Sequence, residues 1–385
     1  MKNKFRKSRC GLLATLSLLF FTAAIVPAFA TGNIVKSDLT GTWRMELRGN
    51  TGCGFSTMWV IAQFGSGGSG SALIETHGQC GDSTLKLQTF TVTSLTAKGT
   101  GTATLSCGTG CGWLFNIQVA PDRSKFNLSD ISDSGNYLEG VAVLSSPAGL
   151  VTTPDMTGVW QLVLLGQTGC GLGTTDATFT LNSSGVASGV TETSHSVGCG
   201  DGVSNSNTFT INSMNADGSG LAGLSCGPGC GFAFAFQVSP DRSTFNLVDI
   251  SDPGNFLAGV AIRTSSAGDI TRANFSGPWQ LALYGRTSCG NAATLVNFNM
   301  NPKGISTSAT EKSHTSGCGD TTLSGNTLIL QGFNTDGSGT ATLTCGTGCT
   351  YNFNYQMSPD RSTLSIVDVS PSDAGKFLVG KAIHQ

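Results

Sequence analysis

Twelve cysteines recur in three sets of four at near-identical spacing, and no other feature restricts the chain so strongly. The sets are Cys53, Cys80, Cys107 and Cys111; Cys170, Cys199, Cys226 and Cys230; and Cys289, Cys318, Cys345 and Cys349. Corresponding positions lie 119 residues apart in nearly every case. Trp43, Trp160 and Trp279 open the copies inside Thr-Gly-Thr-Trp, Thr-Gly-Val-Trp and Ser-Gly-Pro-Trp, and Pro-Asp-Arg-Ser recurs at 121–124, 240–243 and 359–362. A period this long with its own set of sulfurs implies three self-sufficient domains rather than solenoid turns. The units read as 36–147, 154–266 and 272–385, joined by short Ser/Ala/Gly/Thr linkers.

The first 30 residues stand apart. Lys2, Lys4, Arg6, Lys7 and Arg9 precede an apolar run from Gly11 to Val26, and Ala28-Phe29-Ala30 supplies a small-x-small cleavage pattern. This is the design of a secretory signal peptide over 1–30, too short in its apolar stretch for a stable membrane span. No later segment is apolar for long enough to cross a bilayer as a helix. An exported chain, periplasmic or extracellular, is therefore expected. Of the 21 Lys+Arg, five lie in the leader, whereas none of the 23 Asp+Glu does, so the remainder carries a net charge of −7. That balance repels phosphate backbones and argues against nucleic acid as a partner. Charged residues make up only 11% of the chain, which also excludes a coiled coil or a disordered charged tail.

Within a unit the hydrophobic period is two. Trp43, Met45 and Leu47 alternate with Arg44, Glu46 and Arg48; Phe232, Phe234, Phe236 and Val238 alternate with Ala233, Ala235 and Gln237; and Tyr351, Phe353, Tyr355 and Met357 alternate with Asn352, Asn354 and Gln356. Such alternation predicts antiparallel strands with one wet face. The second unit divides into eight strands, about 158–165, 175–182, 187–195, 207–212, 219–226, 231–239, 243–250 and 255–262, separated by turns such as Asn215-Ala216-Asp217-Gly218. A sandwich and an up-and-down barrel both fit that count. The barrel is favoured, because closure removes exposed edges and eight strands leave an interior that side chains just fill. The small inward face Gly220, Ala222, Leu224 beside the bulky sixth strand fits the same taper. The expected fold is all-β: three tandem, disulfide-bonded, eight-stranded antiparallel barrels.

Asp38-Leu39-Thr40-Gly41-Thr42-Trp43 resembles the Gly-x-Trp opening of the lipocalins and avidins (calycin-type barrels), and the strand count is similar as well. The resemblance implies a barrel with an open mouth at the rim made by the odd-numbered loops. It does not extend to biotin chemistry, since Met45, Leu162 and Leu281 stand where avidins would place a biotin-contacting Asn.

Up-and-down numbering puts all four cysteines of a unit at that rim. Of the 13 cysteines Cys10 lies in the leader, so twelve remain after its removal; an even count in an exported chain points to disulfides, whereas the Cys-x3-Cys spacing fits zinc sites poorly, so no metal is expected. Three pairings per unit are open from sequence. The favoured one joins adjoining loops: Cys53–Cys80 with Cys107–Cys111, Cys170–Cys199 with Cys226–Cys230, and Cys289–Cys318 with Cys345–Cys349. Asp130, Asp249 and Asp368 face inward near the mouth by parity, either as ligand contacts or as acceptors for backbone N–H groups of the loop between strands seven and eight. His77, His195 and His314 sit at the same rim just before Cys-Gly-Asp, and are read as loop residues or ligand contacts.

No metalloprotease, serine-hydrolase or phosphate-loop motif is present, nor any cofactor signature. The reading is a non-enzymatic exported protein that presents sites for a small apolar ligand or a protein surface at its barrel rims. The alternative is a structural or surface-coat protein with solidly packed barrels as spacers; a weaker one is an extracytoplasmic hydrolase using rim His and Asp. A pocket of about 300 Å³ or more behind a mouth separates binding from spacing.

Overall fold

The structure is a computed structural model of the 385-residue chain. It describes residues 32–130, 136–147, 149–227, 230–251, 254–266, 268–346, 349–368 and 376–385. The leader at 1–30 lies outside the described residues.

Each repeat closes into an eight-stranded antiparallel barrel. The first comprises β1 (Gly41–Thr51), β2 (Gly54–Phe64), β3 (Ser69–Gly78), β4 (Ser83–Leu95), β5 (Thr100–Gly108), β6 (Cys111–Val119), β7 (Lys125–Asp130) and β8 (Tyr137–Leu144). The second comprises β9 (Gly158–Thr168), β10 (Gly171–Leu181), β11 (Val186–Ser196), β12 (Gly200–Met214), β13 (Ser219–Gly227), β14 (Cys230–Val238), β15 (Thr244–Asp249) and β16 (Phe256–Arg263). The third comprises β17 (Gly277–Thr287), β18 (Gly290–Met300), β19 (Ile305–Thr315), β20 (Gly319–Phe333), β21 (Ser338–Thr344), β22 (Thr350–Met357), β23 (Thr363–Asp368) and β24 (Phe377–His384). The strands predicted for the second unit all form, and several run further toward the mouth than their hydrophobic pattern indicates.

Interior packing follows the alternation. Gly220, Ala222 and Leu224 pair with Phe236, Phe234 and Phe232 across β13 and β14. A Cβ on Gly220 would come within 2.6 Å of the Phe236 ring, so the small residue is what admits the aromatic. The narrow end is plugged by the segment leading into each barrel. Ile34, Val151 and Ile270, with Leu39, Met156 and Phe275 of a single 3-10 turn, join the three interior clusters. The Trp of each Gly-x-Trp closes this end, its indole N–H donating to the carbonyl of Leu39 (2.7 Å), Met156 (2.8 Å) or Phe275 (2.8 Å).

The outer face is where the expectation of one wet face needs correction. Glu46, Arg48, Gln237 and Gln356 are buried, because the barrels pack side by side around a pseudo-threefold axis. β15 and β16 lie against β1 and β2; β23 and β24 against β9 and β10; β7 and β8 against β17 and β18. The contact is head-to-tail and closes after three units, the condition for a ring rather than a filament. Bridges confirm the sense of rotation: Asn246 Nδ2 donates to the carbonyls of Arg44 (3.0 Å) and Val141 (2.9 Å), and Asn127 Nδ2 to that of Gln280 (3.2 Å).

Charge collects on the axis. Each Pro-Asp-Arg-Ser hairpin turns through an Arg with positive φ (Arg123, Arg242, Arg361), and aims its Asp inward. Asp122, Asp241 and Asp360 converge on the Lys125 ammonium at 3.3, 2.9 and 2.9 Å. Deeper along the axis, Arg48 is paired with Glu139 at 2.9 Å and donates to the Ala258 carbonyl at 3.0 Å. Burial holds the Glu46 carboxyl well above its usual range, and that of Glu139 above it too. Lys381, standing where the other repeats have Val141 and Val260, is fully buried and its Nζ has no hydrogen-bond partner.

Burial and the nearby Lys125 push the Lys381 ammonium down to about 7. An unfolded lysine titrates near about 10.4, so between about 7 and about 10 the unfolded chain holds the extra proton and stability rises with pH. Lys381→Val is therefore expected to stabilise by on the order of a few kcal/mol at pH 7 and below. The gain should fade toward pH 10. Thermal unfolding of both proteins at the two pH values checks this; no gain at pH 7 would refute it.

Candidate functional site

A deep opening lies at the mouth of the second barrel. Inward-facing residues at the far ends of β9, β11, β13, β14 and β16 surround a cavity of about 430 Å³. Leu164, Leu224, Phe232 and Leu257 form its apolar wall, with Glu192 and Ser194 as polar groups. Phe234 and Phe236 below are buried in the barrel core, while Phe232 is only half-buried. The barrel is thus solid at its narrow end and open at its mouth, a division that alternation alone does not reveal.

Two disulfides frame the rim, Cys170–Cys199 between the β9–β10 and β11–β12 hairpins and Cys226–Cys230 across the β13–β14 hairpin, with Cα separations of 5.2 and 5.1 Å. The same pattern holds in the other units, Cys53–Cys80 with Cys107–Cys111 and Cys289–Cys318 with Cys345–Cys349. Such bridges hold Gly-rich hairpins in one conformation at little cost in contact area.

Glu192 is a residue the motif reading did not single out. It pairs with Ala177 of the interior face, so it points into the mouth. Burial raises its carboxyl above the usual range, opposed by Asn207 Nδ2, which donates to Oε2 at 2.6 Å. Strand parity in Thr191-Glu192-Thr193-Ser194 was the available signal. Glu311 repeats the arrangement with Asn326 at 2.9 Å.

Of the sequence candidates, His195 is among the residues that line this cavity, as is Asp201, while the others lie elsewhere. In every repeat the His Nδ1 bonds the Asp of the following Cys-Gly-Asp: His77 with Asp82 at 3.1 Å, His195 with Asp201 and His314 with Asp320. The His195 ring then packs against Phe377 of the third barrel (5.7 Å between centroids) and that of His314 against Tyr137 of the first (4.5 Å). These two rings face neighbouring barrels. Asp130, Asp249 and Asp368 are buried at the ends of β7, β15 and β23, and none lines the 430 Å³ cavity. Asp249 Oδ1 accepts the Ser251 N–H at 2.9 Å, the geometry of a loop anchor. Asp130 instead borders a smaller cavity of about 250 Å³ between the first and third barrels, which it shares with His314.

Fold and site together define an all-β chain of three disulfide-framed barrels locked into a ring. No family model matches the chain, and no curated protein matches it in sequence. Among solved structures it is similar to transferrin-binding protein B from Neisseria meningitidis (8% identity, 89% of this chain and 76% of that chain, TM-score 0.27). A second is transferrin-binding protein B from Haemophilus parasuis (8%, 89% and 74%, TM-score 0.28). A third is kievitone hydratase from Nectria haematococca (8%, 62% and 96%, TM-score 0.22). At these TM-scores none of them bears on family or activity. Among the described residues no helix is long and apolar enough to cross a membrane.

Proposed function

We propose that this is an exported, non-enzymatic binding protein whose second barrel takes a small, mainly apolar ligand in its mouth. The observation that carries the reading is the 430 Å³ cavity, with an apolar wall, the half-buried Glu192 carboxyl and a rim framed by two disulfides. Its volume lies in the range that holds small molecules, and a few placed polar groups on an apolar wall are the usual composition of such sites. Glu192, with its raised pKa, is suited to bonding a hydroxyl or carbonyl at the polar end of the ligand. The cysteines and the basic-apolar leader support export.

The test uses N-phenyl-1-naphthylamine, whose fluorescence rises in apolar pockets. Saturable binding by the full chain is expected, reduced about tenfold or more by Leu224→Trp, which fills the cavity. Binding that is absent, or indifferent to that substitution, would defeat the proposal. The spacer reading draws on a separate observation, the solid narrow ends and the buried contacts that make one body of three barrels.

A further inference from the structure

A second concavity belongs to no single barrel. At the mouth end of the pseudo-threefold axis the tips of β1, β9 and β17 bring together Asn50, Gln167 and Arg286, one and the same position of the three repeats, each paired with the first residue of its closing strand. They help wall a depression of about 310 Å³. Phe55 and Leu172 line it and belong to the apolar cluster between the barrels that also holds Tyr137, Phe256 and Phe377. Its remaining polar side chains are the amides of Gln79 and Asn291, and no lining residue is a carboxylate.

Arg286 stands out among the arginines. The other described ones are committed to structure: Arg44 to Asp217, Arg48 to Glu139, Arg123 to Asp38, Arg242 to Asp155 and Leu150, and Arg263, Arg272 and Arg361 to backbone carbonyls. Arg286 alone among them has no ion pair or hydrogen bond. A free guanidinium fork above an apolar surface, flanked by four amides and no acid, matches a defined chemistry. The fork takes a planar carboxylate by two parallel hydrogen bonds. The amides donate to and accept from hydroxyls, and Phe55 and Leu172 take a C–H face.

We infer that this axial depression binds a small hydroxylated carboxylate of sugar-acid size, its carboxylate on Arg286. Because the three equivalent positions carry Asn, Gln and Arg, the pseudo-symmetric funnel has one charged side and holds the ligand in one orientation. The site exists only when the ring is closed.

The probe is D-glucuronate, with D-glucose as the neutral control, titrated calorimetrically into the full chain. Saturable glucuronate binding in the millimolar range or tighter is expected, with glucose at least about tenfold weaker. Arg286→Gln installs the residue the second repeat already carries, so folding should be kept, and it should lower glucuronate affinity about tenfold or more. Arg286→Lys, which keeps the charge and loses the fork, should fall between the two. Leu224→Trp in the second barrel should leave glucuronate binding unchanged, which separates this site from the mouth cavity. Unsaturable glucuronate binding, equal affinity for glucose, or undiminished binding by Arg286→Gln in a folded protein would each overturn the inference.

Discussion

Lys125→Thr is expected to lower the melting temperature by on the order of 10 °C at pH 7, although Thr is what the other two repeats carry there, as Thr244 and Thr363. The substitution removes the one cation from between Asp122, Asp241 and Asp360, whose oxygens lie within 4.8 Å of one another. Lys125 is fully buried while the three carboxylates remain partly exposed, so the cost lies toward the lower end of the about 3–5 kcal/mol lost when one partner is taken from a buried ion pair. The pH dependence is the sharper test. In the wild type, burial alone would raise the Asp241 carboxyl, but Lys125 and the hydroxyls of Ser239 and Ser243 hold it well below the usual range. A depressed acid contributes stability that is present above about pH 4 and is lost on acidification. In the variant three carboxylates face one another, so their pKa values rise, the folded state binds the extra protons, and stability improves as pH falls from 7 toward 5. Lys381 is close enough to be affected by Lys125, so Lys125→Thr is best also measured beside Lys125→Thr/Lys381→Val. Unfolding curves at both pH values decide the matter. A penalty that does not shrink with acid would mean the cage is not electrostatic.

How the barrels close was legible; how they join was not. Period-two alternation in segments such as Phe232–Val238 specifies a strand with one apolar face, and the thrice-repeated Trp and cysteines specify the unit. The ring left a fainter trace. β9 reads Trp-Gln-Leu-Val-Leu-Leu, and Val163 and Leu165 on its outer face are as buried as Leu162 and Leu164 inside. β8 and β16 likewise bury Val141, Val143, Val260 and Ile262 between barrels. Apolar residues on both faces are the mark of a strand covered on both sides. In the first repeat, however, Arg44, Glu46 and Arg48 occupy the outer face of β1 and imitate a solvated surface. Charge in a sequence does not say whether its partner is water or an ion on another repeat. The mouth cavity was hidden for a related reason: parity places Glu192 and Phe232 inside the barrel, but only the height of each layer tells whether the interior is filled there.

The imitation itself suggests the last experiment. Arg48→Leu, which copies Leu165, should destabilise by about 3–5 kcal/mol, since Glu139 and Glu46 would keep two buried carboxyls without their cation. The triple variant Glu46→Val/Arg48→Leu/Glu139→Ala copies Val163, Leu165 and Ala258 of the second repeat. It removes Arg48 together with both carboxyls, leaving the buried Lys381 already pushed toward its neutral form, and should recover wild-type stability, or exceed it by about 1–4 kcal/mol, because apolar residues avoid the desolvation that a buried pair must overcome. Charge on the axis would then serve to tell the faces apart. Three similar head-to-tail faces can pair within one chain or between chains, and charged side chains placed asymmetrically distinguish them: Lys125, Arg48, Glu46 and Glu139 from the first repeat, Lys381 from the third, and the Arg44–Asp217 pair between the first and second. The triple variant should accordingly be as stable as the wild type in thermal unfolding, yet show swapped dimers by light scattering during concentrated refolding. A triple variant that is as unstable as Arg48→Leu alone would show instead that the buried ions hold the ring together by their net attraction.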